Sequence, residues 1–300
     1  MSLFKRFRRQ LAAFGAIAST TCAVVPAAEA KTASPAMWKV ADADTTIYLF
    51  GTIHLLPKGT AWRSAAFDKA AAGSDTLVVE TVIDESNPGK FILELRKLAL
   101  SDGLPPLAER ISPAKLPALE AAVAKLGARM SDFDKVETWA VAFELLGLQF
   151  RAIGLDPGSG VETTLKQQFV SGGKSIDQLE TNAEQLSYFD GLSEESQRLF
   201  LADVLEDPSA MKTQFSGMLA AWSKGDVPSI AKTFNADLGN SPELKKALLD
   251  RRNANWARWV KTRLDQPGTV MVAVGAGHLA GSESVLTILE KQGLKVTRVQ

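Results

Sequence analysis

Four short strand-type runs, set apart by long helical stretches, most constrain what this chain can fold into. Thr46-Ile47-Tyr48-Leu49-Phe50 stops at Gly51, and Thr76-Leu77-Val78-Val79 closes on Glu80. Lys174 to Leu179 ends at Glu180, and Thr269 to Val274 ends at Gly275. A run that is almost all apolar suits a strand buried on both faces, as in a sheet covered by helices. Trp38 to Val40 and Thr45 to Phe50 flank Ala41-Asp42-Ala43-Asp44 and read as a hairpin. Helices are predicted over Ser64–Ala72, Phe91–Leu100, Pro113–Leu126, Lys135–Gly147, Val161–Val170, much of Ala183–Leu264, and Glu283–Gln292. Gly103, Pro105-Pro106 and Gly127 mark stops between them. Leu294 to Val299 is a last strand. This order predicts an α/β fold, a mixed central sheet with a large helical insertion. The closing strand-helix-strand is expected to be a right-handed parallel unit, and residues 85–150 are candidates for a cap over the sheet.

The first thirty residues differ in kind. Lys5, Arg6, Arg8 and Arg9 precede a mildly apolar stretch from Leu11 to Val25, and Ala28-Glu29-Ala30 supplies small residues where a signal peptidase reads. Residues 1–30 are therefore expected to be a secretory signal cleaved after Ala30, leaving 31–300 as a single domain outside the cytoplasm, periplasmic or secreted. The apolar run is shorter than the ~20 residues a span needs, so no stable membrane span is expected in the mature chain. The single cysteine, Cys22, lies in that leader. Without it the mature chain has no disulfide, thiolate nucleophile or cysteine metal ligand.

Lysine plus arginine equals aspartate plus glutamate at 34 each, and no basic stripe interleaves with aromatics. That balance argues against a nucleic-acid partner. The chemistry is sparse and well placed. The chain has only two histidines, and each follows a strand in a G-x-x-H setting: Gly51-Thr52-Ile53-His54 and Gly275-Ala276-Gly277-His278. Ligands of open α/β sheets bind at the strands' carboxyl ends. Both imidazoles are thus expected to meet in one site; the alternative is that each only ties down a loop. Glu80 ends a buried run, where an unpaired carboxylate is costly, so it is read as a metal ligand, a base, or an orienter of histidine. Glu180 is a weaker parallel case, with Thr181 or Asn182 capping the next helix. His54, His278, Glu80 and Glu180 together make a plausible set for zinc, manganese or cobalt. Without a metal, a histidine–glutamate pair can still act as acid and base. Gly154 to Glu162 is glycine-rich but lacks the Lys-Ser/Thr ending of a P-loop, and reads as a turn into a helix. Arg251-Arg252-Asn253 shares a predicted helix with Trp256 and Trp259, and one arginine is a candidate to reach an anionic group in the site.

With these residues in view the chain resembles the TraB/PrgY/GumN family, which includes the Tiki-type proteases. The resemblance runs from Leu49-Phe50-Gly51-Thr52-Ile53-His54 through Leu77-Val78-Val79-Glu80, Leu179-Glu180-Thr181 and Arg252-Asn253. It ends on Val272-Ala273-Val274-Gly275-Ala276-Gly277-His278-Leu279-Ala280-Gly281. It implies a fold similar to the erythromycin-esterase and ChaN proteins and, for the Tiki branch, metal-dependent peptide cleavage. It places functional positions at His54, Glu80 and His278, with Arg252 as a companion. Where the family often has Gly-Val-Asp this chain has Gly160-Val161-Glu162, a longer acid than the pattern. The expectation is a metal-dependent hydrolase, most readily a peptidase, acting on a peptide or small-molecule substrate. The alternatives are a non-enzymatic peptide- or haem-binding protein using the same pocket, and a metal-free esterase-like hydrolase.

Overall fold

The computed structural model describes residues 33–57, 59–84, 86–155, 159–238 and 241–300. The leader at 1–30, with Cys22, lies outside the described residues, as does part of the 154–162 turn.

Six strands form one mixed sheet: β1 (Met37–Ala41), β2 (Thr45–Thr52), β3 (Thr76–Val79), β4 (Ser175–Gln178), β5 (Gly268–Gly275) and β6 (Val296–Arg298). Their spatial order is β4-β3-β5-β2-β1-β6. The predicted hairpin is present: β1 and β2 are antiparallel, with Val40 opposite Ile47. Asp42 Oδ1 accepts from the Asp44 and Thr45 amides and closes the turn. β5, more than 180 residues downstream of β3, slots between β2 and β3 and runs parallel to both. β4 adds in parallel beside β3.

The alternation of each strand divides its side chains between two cores. Phe50, Leu77, Val79, Met271 and Ala273 pack on one face. Ile47, Leu49, Val78, Val270, Val272 and Val274 pack on the other. The closing strand-helix-strand is parallel, as expected: helix Val285–Lys291 leads from β5 to β6. Because β6 is antiparallel to β1, β1 antiparallel to β2 and β2 parallel to β5, the two strands run the same way without being neighbours. The hairpin strands β2 and β1 lie between them, so the chain crosses two strands before pairing.

The helical insertion builds a third core of its own. Leu95, Leu107, Leu119, Trp139 and Leu145 pack with Leu201 and Val204 from a later helix, Glu194–Val204. The described residues of this insertion thus share a core with the later helix. Arg110 staples the unit: it is fully buried and donates to the carbonyls of Pro105, Val136 and Asp134. Among the described residues no helix is long and apolar enough to cross a membrane.

Candidate functional site at the carboxyl ends of four parallel strands

The register brings the chemistry together. Thr52 at the end of β2 sits opposite Gly275 at the end of β5. Val79 at the end of β3 pairs with Ala273 and with Gln178 at the end of β4. His54, Glu80, Glu180 and His278 therefore leave four neighbouring parallel strands at the same edge, where such sheets place ligands. A side chain on Gly275 would lie 3.3 Å from Glu80 Oε1, 3.6 Å from His278 Cδ2 and 3.7 Å from His54 Nε2. Three of the four predicted residues thus face one point, and the two histidines share one site. A Cβ there would touch all three groups, most tightly Glu80 Oε1.

Glu80 is buried and held from both sides. Its Oε1 accepts the Gly275 amide at 2.8 Å, and its Oε2 accepts from Arg252 Nη2 at 2.5 Å. Burial would raise its pKa, but Arg252 foremost, with the histidines and the Gly275 amide, holds the carboxyl well below the usual range. Glu180 is also buried, and its Oε1 accepts from Arg252 Nη2 at 2.6 Å and Nε at 3.0 Å. Burial pushes Glu180 upward against the pull of Arg252. Gln185 bridges the pair by donating to Glu180 Oε1 at 3.1 Å and Glu80 Oε2 at 3.3 Å. Thr181 does cap the following helix, Asn182–Asp190, in a capping box with Glu184.

Arg252 is the centre of this cluster. It lies in helix Arg251–Arg263, just after a π turn at Lys246–Asp250 in which the Arg251 amide bonds Lys246 O. Such widened turns gather at functional sites. Besides the two glutamates, Arg252 Nη1 donates to His278 Nε2 at 3.1 Å and Leu248 O at 3.3 Å. A guanidinium has five N–H groups, and all five are directed at protein acceptors. Arg252 therefore positions the site and has no N–H left for a substrate. The anionic group foreseen for an arginine is supplied by the protein itself.

The tautomer of His278 follows from its neighbours. Asn253 Nδ2 donates to Glu283 O at 2.7 Å, which turns Asn253 Oδ1 toward His278 Nδ1 at 2.6 Å. An amide oxygen only accepts, so the proton is on Nδ1 and Nε2 carries the lone pair that faces Arg252. Burial, with Arg252 adding to it against the opposing charge of Glu80, lowers the His278 pKa to about 3, so the ring is neutral. The Trp256 ring lies against it, 4.3 Å between centroids, and also 4.6 Å from the Arg252 guanidinium carbon.

His54 is built differently. Its side chain is 64% exposed, and Nδ1 lies 2.8 Å from Glu162 Oε1. Glu162 is held in turn by the Thr52 hydroxyl. It sits in the first turn of helix Val161–Ser171, where the helix dipole favours a carboxylate. That turn is pressed against the histidine loop: Val161 N–H bonds Ile53 O, and a Cβ on Gly160 would stand 2.1 Å from His54 O. The departure at Glu162 thus falls on the partner of His54. The Glu162 charge raises the imidazole pKa above its ordinary value. Asn253, Gln185 and Trp256 also belong to the site. Asn253 and Trp256 follow Arg252 on the helix that the sequence singles out, at one and four residues, whereas no sequence signal marks Gln185.

The zinc, manganese or cobalt ion expected from the donor types asks for three or four donors with open lone pairs. The arrangement does not offer them. Arg252 takes Glu80 Oε2, Glu180 Oε1 and His278 Nε2, and the Gly275 amide takes Glu80 Oε1. Among the described residues no group of three or more histidine, cysteine, aspartate or glutamate side chains is placed to hold a metal.

A mixed α/β sheet with a histidine–carboxylate cluster at its parallel edge defines the class of protein. The chain belongs to the TraB/PrgY/gumN family, whose family model matches residues 36–298. Comparison with the curated proteins and with the solved structures gave no match.

Proposed function

We propose that this chain is a hydrolase of peptide or ester carbonyls that acts outside the cytoplasm, with His54 as the base that activates water. One observation carries the reading: Glu162 holds Nδ1–H of His54, so that the base form of the ring, present above its raised pKa of about 9, turns its Nε2 lone pair toward Gly275. A carboxylate that fixes the tautomer and orientation of a histidine, and stabilises its charged form, is the arrangement used in acyl-transfer catalysis. Nε2 takes a proton from water as the water oxygen bonds to the carbonyl carbon. The imidazolium then returns that proton to the leaving nitrogen or oxygen as its bond to carbon breaks. Glu80, Glu180, Arg252 and His278 form a hydrogen-bonded wall beside this base, with one cation between two carboxylates. The basic and then apolar first thirty residues support export.

The test is turnover of a panel of fluorogenic peptides and aryl esters by residues 31–300. Turnover should fall by roughly 10²–10⁴-fold in His54→Ala, the usual size of a lost general base. A wild type that turns over nothing in the panel, yet binds peptide or haem in a His54-dependent way, would replace the hydrolase by the binding protein.

A further inference from the structure

The Arg252 guanidinium sits where a metal ion would have to sit. It touches three of the four side chains that a divalent ion would use: Glu80, Glu180 and His278. The fourth, His54, has turned its Nδ1 to Glu162. We infer that the site is completed by Arg252 in place of a divalent metal ion. The inference uses the side chains of the hydrolase reading but does not depend on catalysis.

Three further features fit a resident arginine. The two carboxylates together approach the guanidinium on Nε and Nη2, a planar match that a point charge does not need. The Trp256 and Tyr188 rings lie 4.6 and 5.8 Å from its central carbon, giving it aromatic packing. Asn253 fixes the His278 tautomer whose Nε2 lone pair would suit a metal, and Arg252 Nη1 occupies that lone pair. For an ion to enter, a buried cation held by five directed N–H groups must leave, or two positive centres must share one pocket.

The test reads bound metal. The purified wild-type protein, His54→Ala, His278→Ala and Arg252→Met are dialysed separately against zinc, manganese and cobalt chlorides. Bound metal is measured by elemental analysis, and the melting temperature is taken with and without each ion. Wild type is expected to bind no equivalent and to keep its melting temperature. Arg252→Met keeps the bulk, frees Glu80, Glu180 and His278, and is expected to gain one equivalent, with a cobalt absorption band that wild type lacks. One equivalent on wild type that both histidine variants lose would overturn the inference, as would a folded Arg252→Met that binds nothing. Metal kept by both histidine variants lies elsewhere and leaves the inference standing. If Arg252→Met does not fold, wild type and the histidine variants decide.

Discussion

His54 Nδ1 and Glu162 Oε1 lie 2.8 Å apart, joining a loop after β2 to the first turn of a helix more than a hundred residues later. The pair fixes which histidine nitrogen is open to a substrate. It also sets the pH response. The proposed reaction needs the base form of His54, and Glu162 raises its pKa above the ordinary value of about 6.5. Hydrolysis should therefore rise with pH through an inflection above that value. Glu162→Gln keeps the shape but removes the charge, so the inflection should move to lower pH while the plateau falls roughly 10²-fold or more. A pH–rate profile of the two proteins decides this; an unmoved inflection would detach Glu162 from the base.

Arg252→Ala should be among the most destabilising single changes in the sheet. It leaves Glu80 and Glu180 buried without their cation, a loss on the order of 3–5 kcal/mol. Urea unfolding of wild type and variant measures it. A loss below about 1 kcal/mol would show that the cluster is open to water.

Gly160→Ala should act on the same histidine from outside the cleft. The added methyl would stand 2.1 Å from His54 O, so the helix start must retreat and release the Val161–Ile53 and His54–Glu162 contacts. The expected cost is about 1–3 kcal/mol for the overpacking, with hydrolysis lost in proportion to the pair. Activity at wild-type level in a folded Gly160→Ala protein would contradict this.

Asn253→Ala should free the His278 tautomer. With Oδ1 gone, the buried Nδ1–H has no acceptor, at a cost of about 1–3 kcal/mol. Imidazole nitrogen-15 shifts should show one Nδ1–H form in wild type and a mixture, or the Nε2–H form, in the variant.

Acid should weaken the fold in two stages. His278 is neutral when folded, with its pKa lowered to about 3, while the unfolded imidazole protonates near 6.5. Between those values the unfolded state binds the extra proton, so stability falls as pH drops from about 6.5 toward about 3. Glu80 adds stability that is present above the unfolded carboxylate value and is lost as pH falls through its lower folded value. Urea midpoints across this range should decline below about 6.5, and His278→Gln should flatten the upper part of the decline.

Much of the site was legible because most of its groups follow apolar runs. A buried strand must end where the chain turns out of the sheet, and His54, Glu80 and His278 follow such ends, while Glu180 follows the polar edge strand β4. The helical insertion was legible from its period, and so was the hairpin from its turn. Glu162 was harder to read. Its sequence neighbours mark only a helix start, and nothing local shows that the start lies against the His54 loop. The engagement of the candidate metal donors was hidden for a related reason: donor types can be read from a sequence, but not which of their lone pairs an arginine faces.

The sequence by itself determined the α/β class and which scarce groups, the two histidines among them, stand at strand ends. Those depend on local period and on the covalent order of strand and turn. The tertiary structure decided that β5 enters between β2 and β3, that β6 pairs with β1, and that Arg252 sits among the carboxylates. Pairing order and the facing of a distant helix depend on contacts between segments far apart in the chain, and no local pattern carries them.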